Sequence, residues 1–218
     1  LGRDVALGQP ELDAARAPET PVRPTVRITR DVEPLGVGDL LPEYRFTNQL
    51  GRAVSTAGFK GSALAITFIF TRCPFPNACP RMSGNFVEAQ KKLLARPGAP
   101  TNWHLLTISF DPDFDTPAIL KAYAERYGYD PLHWSFVTGE LIDITAIAEQ
   151  FGFEYWRPNP EQPANVSHNL RTAVIDAEGR VPKIIPANHW TPQELADAIK
   201  KAAVPAAPAQ ASPSRITY

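Results

Sequence analysis

The chain has 218 residues, 44% of them hydrophobic and 21% charged, with a net charge of -1. Such values fit a globular domain with extensions and argue against a dedicated nucleic-acid binder, which usually carries a basic face. The longest apolar run, ALAITFIF at 63–70, is too short for a bilayer, which takes roughly 20 residues.

The 23 prolines crowd toward the ends, as in APETPVRP and VPAAPAQASPS. Neither stretch has apolar periodicity. Residues 1–39 therefore read as an extended arm or linker, 40–203 as the folded domain, and 204–218 as a disordered Pro/Ala-rich tail. The domain opens on YRFTNQLGRAVS, a hairpin turning at Gly51. Ser62–Phe70 is apolar on both faces, which marks a central strand covered on both sides. A loop holding both cysteines follows. From Pro80, the residues Met82, Phe86, Ala89 and Leu93 recur at steps of three and four, one face of a helix over 80–95.

Trp103–Phe110 is a second buried strand. Thr116 caps the next helix, Pro117 occupies its first position, and Gly128 closes it. HWSFVTG is a short strand, and DITAIAEQFG a helix ending at Gly152. NLRTAVIDAEGRVPKII gives two strands around a turn at Ala177–Gly179, and Thr191 with Glu194 forms a capping box before the last helix. Strands joined through helices imply a mainly parallel central sheet flanked by helices, here with β-hairpins at the N- and C-terminal ends. That is the layout of a thioredoxin-like α/β domain.

Both cysteines of the chain, Cys73 and Cys79, lie in one loop between a buried strand and a helix. A helix N-terminus offers partial positive charge and free N–H groups, which stabilise thiolate. Thiolate is both the redox nucleophile and the soft metal ligand. The five intervening residues let the sulfurs either bond to each other or bind one ion, and Pro74, Pro76 and Pro80 limit how the loop collapses. The plainer alternative is a structural disulfide or two core thiols.

TFIFTRCPFPNACPRMS resembles the signature of the Sco/SenC family of copper-binding, thioredoxin-like proteins. LLTISFDPDFDTPAILKAYAERYG is similar to that family's strand, Asp-Pro turn and DTP helix. HWSFVTGE, IAEQFG and the histidine-bearing VSHNLRTAVIDAEGRV follow in the family's order, over roughly residues 41–202. The resemblance implies copper, as Cu(I) or Cu(II), held by Cys73, Cys79 and His168. Two thiolates and an imidazole form a soft donor set that suits this ion. One departure is the spacing: five residues, PFPNA, separate cysteines that the family usually separates by three. The proline after the second cysteine is kept as Pro80.

Other candidates read as structural. His104, His133 and His189 do not match the family's ligand position. Met82 falls on the apolar face with Phe86, and packing suits it better than weak copper ligation. Asp111, Asp113 and Asp115 suit a turn and helix start better than a hard-metal site. Asp111 and Asp115 match a family turn that lies near its copper site.

The resemblance implies an extracytoplasmic, periplasmic-type copper metallochaperone. Its partners would be a cuproenzyme apo-protein such as cytochrome c oxidase, or another copper carrier. It would meet a membrane only through an anchor missing from this chain. The alternative is a thiol–disulfide oxidoreductase with Cys73 and Cys79 as its redox pair. Thioredoxin-type enzymes usually place two residues between their cysteines and have no need of His168, which favours copper. A thioredoxin-like peroxidase fits less well: it needs threonine three positions before its reactive cysteine, and Phe70 stands there.

Overall fold

Seven consecutive buried residues, Ala63–Ile69, form strand β3 at the middle of the sheet. The computed structural model describes residues 32–204, apart from 96–99, 158, 160 and 163. Strands β1 (Arg45–Asn48) and β2 (Ala53–Ser55) form the predicted first hairpin. Helix α1 (Cys79–Leu94) follows β3, then β4 (Trp103–Ser109), α2 (Pro117–Arg126), β5 (Trp134–Thr138) and α3 (Leu141–Gln150). The described residues end on β6 (Tyr155–Trp156), β7 (Ser167–His168), β8 (Arg171–Ile175), β9 (Lys183–Pro186) and α4 (Pro192–Ala203).

The seven-stranded sheet has the order β2-β1-β5-β4-β3-β8-β9. Its centre is parallel: β3 pairs with β4, and β4 with β5. Antiparallel pairs extend both edges, with β1 on β5 and β8 on β3. This is the α/β sandwich expected of a thioredoxin-like chain. Parallel strands with helical crossovers are buried on both faces, so β3 and β5 read as unbroken buried runs rather than alternating ones.

Helix α1 buries Met82, Phe86, Ala89 and Leu93 against the sheet and α4, as the periodicity predicts. Phe86 sits 5.9 Å from the Trp134 ring and 6.2 Å from the Trp190 ring. Thr116 caps α2 by accepting from the Ile119 amide, and Thr191 with Glu194 forms the capping box of α4.

Two helix starts and one small sheet are among the differences from the sequence reading. Helix α1 begins at Cys79 itself, so Pro80 is its second residue rather than its first. Helix α3 begins at Leu141, two residues early, because Glu140 takes the extended N-cap conformation. The small β6–β7 sheet has no counterpart among the predicted elements, because two-residue strands carry no periodicity. Of the predicted arm and tail, residues 1–31 and 205–218 lie outside the described residues. Residues 32–39 lie against the domain: the Leu35 amide donates to the Gln150 carbonyl at 2.8 Å, and the Gly38 amide to the Val181 carbonyl at 2.9 Å.

The register decides where the loops meet. Ile69 of β3 pairs with Ser109 of β4, so both strands end at one edge. Antiparallel β8 starts at that same edge, with Thr172 opposite Thr67. The loop after β3, the turn after β4 and the segment entering β8 therefore converge. Ligands of open α/β sheets commonly bind at this carboxyl edge.

Candidate metal centre

Cys73 stands in the turn four residues past Ile69, outside the strand proper, and is partly exposed. Cys79, the first residue of α1, is buried. Both are free thiols. His168 lies in β7, opposite Tyr155 of β6. One ligand atom from each of Cys73, Cys79 and His168 falls within 4.8 Å of the others, and this is the one such group of three His, Cys, Asp or Glu residues among the described residues. Cys79 Sγ lies 3.9 Å from His168 Nε2.

The imidazole is oriented from behind. His168 Nδ1 lies 2.7 Å from the Asn169 carbonyl oxygen, which can only accept. Nδ1 therefore carries the proton, and Nε2 turns its lone pair toward the sulfurs. Asn169 is itself fixed: its Nδ2 donates to the Gly152 carbonyl, and its Oδ1 accepts from the Glu154 amide. Phe70, Phe110 and Phe153 surround the ring, with centroids 5.3–5.9 Å away.

The sulfurs differ in charge preference. Cys73 is held down to about 4, first by the hydrogen bond from the Cys79 thiol and also by backbone contacts at Phe75 and Cys79, against an opposing desolvation. Cys79 is pushed up by the Cys73 sulfur, by burial and by the Cys73 charge. The pair thus carries one thiolate on the exposed cysteine and one thiol on the buried one. The arrangement offers an open nucleophile, a resolving thiol beside it, and an imidazole lone pair.

The donor set fits a soft ion. Nitrogen and sulfur ligands bind a zinc-sized ion at roughly 2.0–2.3 Å, so two ligand atoms on one ion stand at most about 4.5 Å apart. The 3.9 Å pair already meets that limit, and the 4.8 Å envelope reaches it with a small loop shift.

The acidic turn after β4 holds the cysteine loop instead of forming a metal cluster. Asp115, fully buried, accepts from the Thr71 amide at 3.0 Å, the Thr71 hydroxyl at 2.5 Å and the Ser109 hydroxyl at 2.5 Å. Burial raises its carboxyl pKa, and these donors counter it. Asp111 pairs with Arg72 and Arg157, and Asp113 is exposed. Met82 is fully buried. His104 bonds Ser135 Oγ at 2.9 Å, His133 stacks on Trp103 at 4.1 Å, and His189 is exposed outside the cluster. Arg72 and Arg157 bond Asp111, and Asn169 bonds the imidazole, yet nothing in the sequence singled them out, because most of their contacts are with segments distant along the chain.

The SCO1/SenC family profile matches residues 33–204. The SCO1 protein homolog of Bacillus subtilis is 30% identical over 143 residues, covering 64% of this chain and 70% of the relative. The crystal structure of a SCO1/SenC family lipoprotein from Bacillus anthracis aligns with a TM-score of 0.64 at 30% identity, over 77% of this chain and 96% of that one. BsSco, described as a Sco-family cytochrome c oxidase assembly protein with a disulfide switch, aligns at 0.63 with 27% identity, over 78% and 98%. The carboxyl edge that gathers two thiols and a histidine is thus the edge of a shared fold, and the chain belongs to the SCO1/SenC family.

Proposed function

We propose that the chain binds copper through Cys73, Cys79 and His168, and acts outside the cytoplasm as a metallochaperone for a cuproenzyme such as cytochrome c oxidase. The observation that carries this reading is the convergence of two sulfurs and an imidazole lone pair within 4.8 Å at the carboxyl edge of the sheet. Two thiolates and an imidazole select a soft ion over Mg or Ca, and suit copper in either oxidation state. The oxidase is supported by the assembly role stated for BsSco, and the extracytoplasmic setting by the lipoprotein relative.

Handover needs a site that opens. Cys73 is the more exposed of the two sulfurs and the natural point of exchange with a partner thiol, while Cys79 and His168 anchor the cargo from inside. Pro74 and Pro76 restrict the loop between the sulfurs without sealing it.

The split protonation of the cysteines supports a second reading, dithiol–disulfide exchange. Cys73 thiolate would attack a partner disulfide, forming a mixed disulfide and releasing one partner thiolate. Cys79, once deprotonated, would then displace the second partner sulfur and close the Cys73–Cys79 bond. Two electrons pass from the dithiol to the partner disulfide.

The deciding experiment is copper stoichiometry on reduced protein, run beside Cys73→Ser and Cys79→Ser. One copper per wild-type chain and none retained by either variant through a competing chelator is the expected result. A wild type that retains no copper, yet reduces a disulfide substrate, would leave only the exchange reading.

A further inference from the structure

The two halves of the metal centre come from distant parts of the chain, with Cys79 and His168 separated by 89 positions. The histidine half stands on the β6–β7 ladder, which has only two residues per strand and is not part of the main sheet. Such a ladder is marginal by itself and must be docked by other contacts. Aromatic packing supplies some of them, with Phe110 5.0 Å from both Phe153 and Tyr155. Packing of that kind is attractive but weakly directional.

Asp111 supplies a directional contact. Its side chain is only 1% exposed. One oxygen, Oδ2, accepts from Arg72 Nε at 3.0 Å and Nη2 at 2.8 Å. The other, Oδ1, accepts from Arg157 Nη2 at 2.5 Å. Arg72 immediately precedes Cys73. Arg157 immediately follows β6, the strand paired with His168. One buried carboxylate therefore ties the cysteine loop to the histidine hairpin. Arg72 is further fixed by the Phe114 ring, whose centroid lies 4.1 Å from its guanidinium carbon.

We infer that Asp111 is a positioning residue of the centre, and that the Arg72–Asp111–Arg157 bridge sets the distance between the cysteine loop and His168. The inference rests on the copper reading for its functional consequence, but not for its geometry. A buried carboxylate with one guanidinium on each oxygen resists displacement, because moving either arginine leaves a buried carboxylate oxygen without its donor. The bridge thus holds the imidazole at the sulfurs before any ion arrives.

The test uses the full chain with Arg157→Met, Arg157→Lys, Arg72→Met and the double methionine variant. Asp111→Asn is set aside as the primary probe, because it strands two arginines at a buried site. Three readouts are taken: Cu(I) affinity by chelator competition, amide exchange of residues 155–157 and 167–169 in the metal-free protein, and melting temperature. Arg157→Met should speed exchange in those segments and weaken copper roughly tenfold or more, the usual scale for partners of metal ligands. Arg157→Lys, which keeps the charge, should recover part of both. The double variant should lose less than the sum of the singles, since both arginines act through one carboxylate. Wild-type exchange in Arg157→Met overturns the bridge. Faster exchange with unchanged copper affinity also overturns the positioning role, leaving a merely structural ion pair. Should the wild type bind no copper, the functional reading fails, and exchange alone decides whether the bridge docks the hairpin. Should Arg157→Met not fold, Arg157→Lys against Arg72→Met decides by the same readouts.

Discussion

Cys79 Sγ lies 3.9 Å from His168 Nε2, although one residue opens a helix and the other closes a two-residue strand 89 positions later. The imidazole reaches the sulfur with its lone pair because the Asn169 carbonyl holds the proton on the far nitrogen. The relationship separates ligation from disulfide chemistry, since imidazole takes no covalent part in sulfur exchange.

His168→Ala should therefore weaken copper binding on the order of a hundredfold or more, because partners of metal ligands alone are commonly worth 10- to 100-fold. Formation of the Cys73–Cys79 disulfide should persist. Chelator competition and a reduction-potential titration on the same samples check both halves. Wild-type copper affinity in His168→Ala would remove the three-ligand site.

Cys73 should alkylate as a thiolate at pH 5, where an ordinary cysteine is inert, because its pKa is held to about 4. The hydrogen bond from Cys79 is the first cause of that depression. In Cys79→Ala the pH midpoint for iodoacetamide labelling should rise by roughly one unit or more. An unchanged midpoint would mean that the helix terminus, not the neighbouring thiol, sets the thiolate.

Thr71→Val should loosen the cysteine loop. It removes the hydroxyl that donates to Asp115 at 2.5 Å and leaves a buried carboxyl oxygen short of a partner. Hydrogen bonds to charged groups are worth about 1.5–3 kcal/mol, so a stability loss of that order is expected by urea denaturation. A loss well below 1 kcal/mol would show that the Thr71 amide and Ser109 suffice.

His104 should make the domain acid-sensitive. Burial, then the nearby His133 charge, depress its pKa from 6.5 to about 4. The unfolded chain takes up this proton near pH 6.5, but the folded chain resists until about pH 4. Stability is thus fully present above pH 6.5 and falls as the pH drops through that window, by an amount on the order of a few kcal/mol. His104→Gln should flatten the dependence of melting temperature on pH between 7 and 4.5. The same slope in variant and wild type would assign acid sensitivity to other groups.

Much of the scaffold was legible in the chain itself. Buried strands such as Ala63–Ile69 are apolar without interruption, and α1 repeats its apolar residues at helical spacing, because solvent exclusion imposes those patterns locally. Caps at Thr116 and Thr191 are equally local, as each bonds an amide three residues on. The cysteine pair could be singled out for the same reason: both members lie in one loop, beside one helix start. His168 was reached by resemblance, since nothing near it in sequence tells a ligand from a packing residue. Tertiary structure alone decided the rest. The parallel register of β3 and β4 brings Asp115 onto Thr71 and Asp111 onto Arg72, and the antiparallel entry of β8 delivers His168 to the same edge. The roles of Arg157 and Asn169, and the split protonation of the two cysteines, exist only at ångström separations between segments that the chain keeps far apart. Local sequence specifies dihedral preference and burial, whereas hydrogen bonds, ion pairs and sulfur–imidazole contacts depend on distances that only the folded sheet sets.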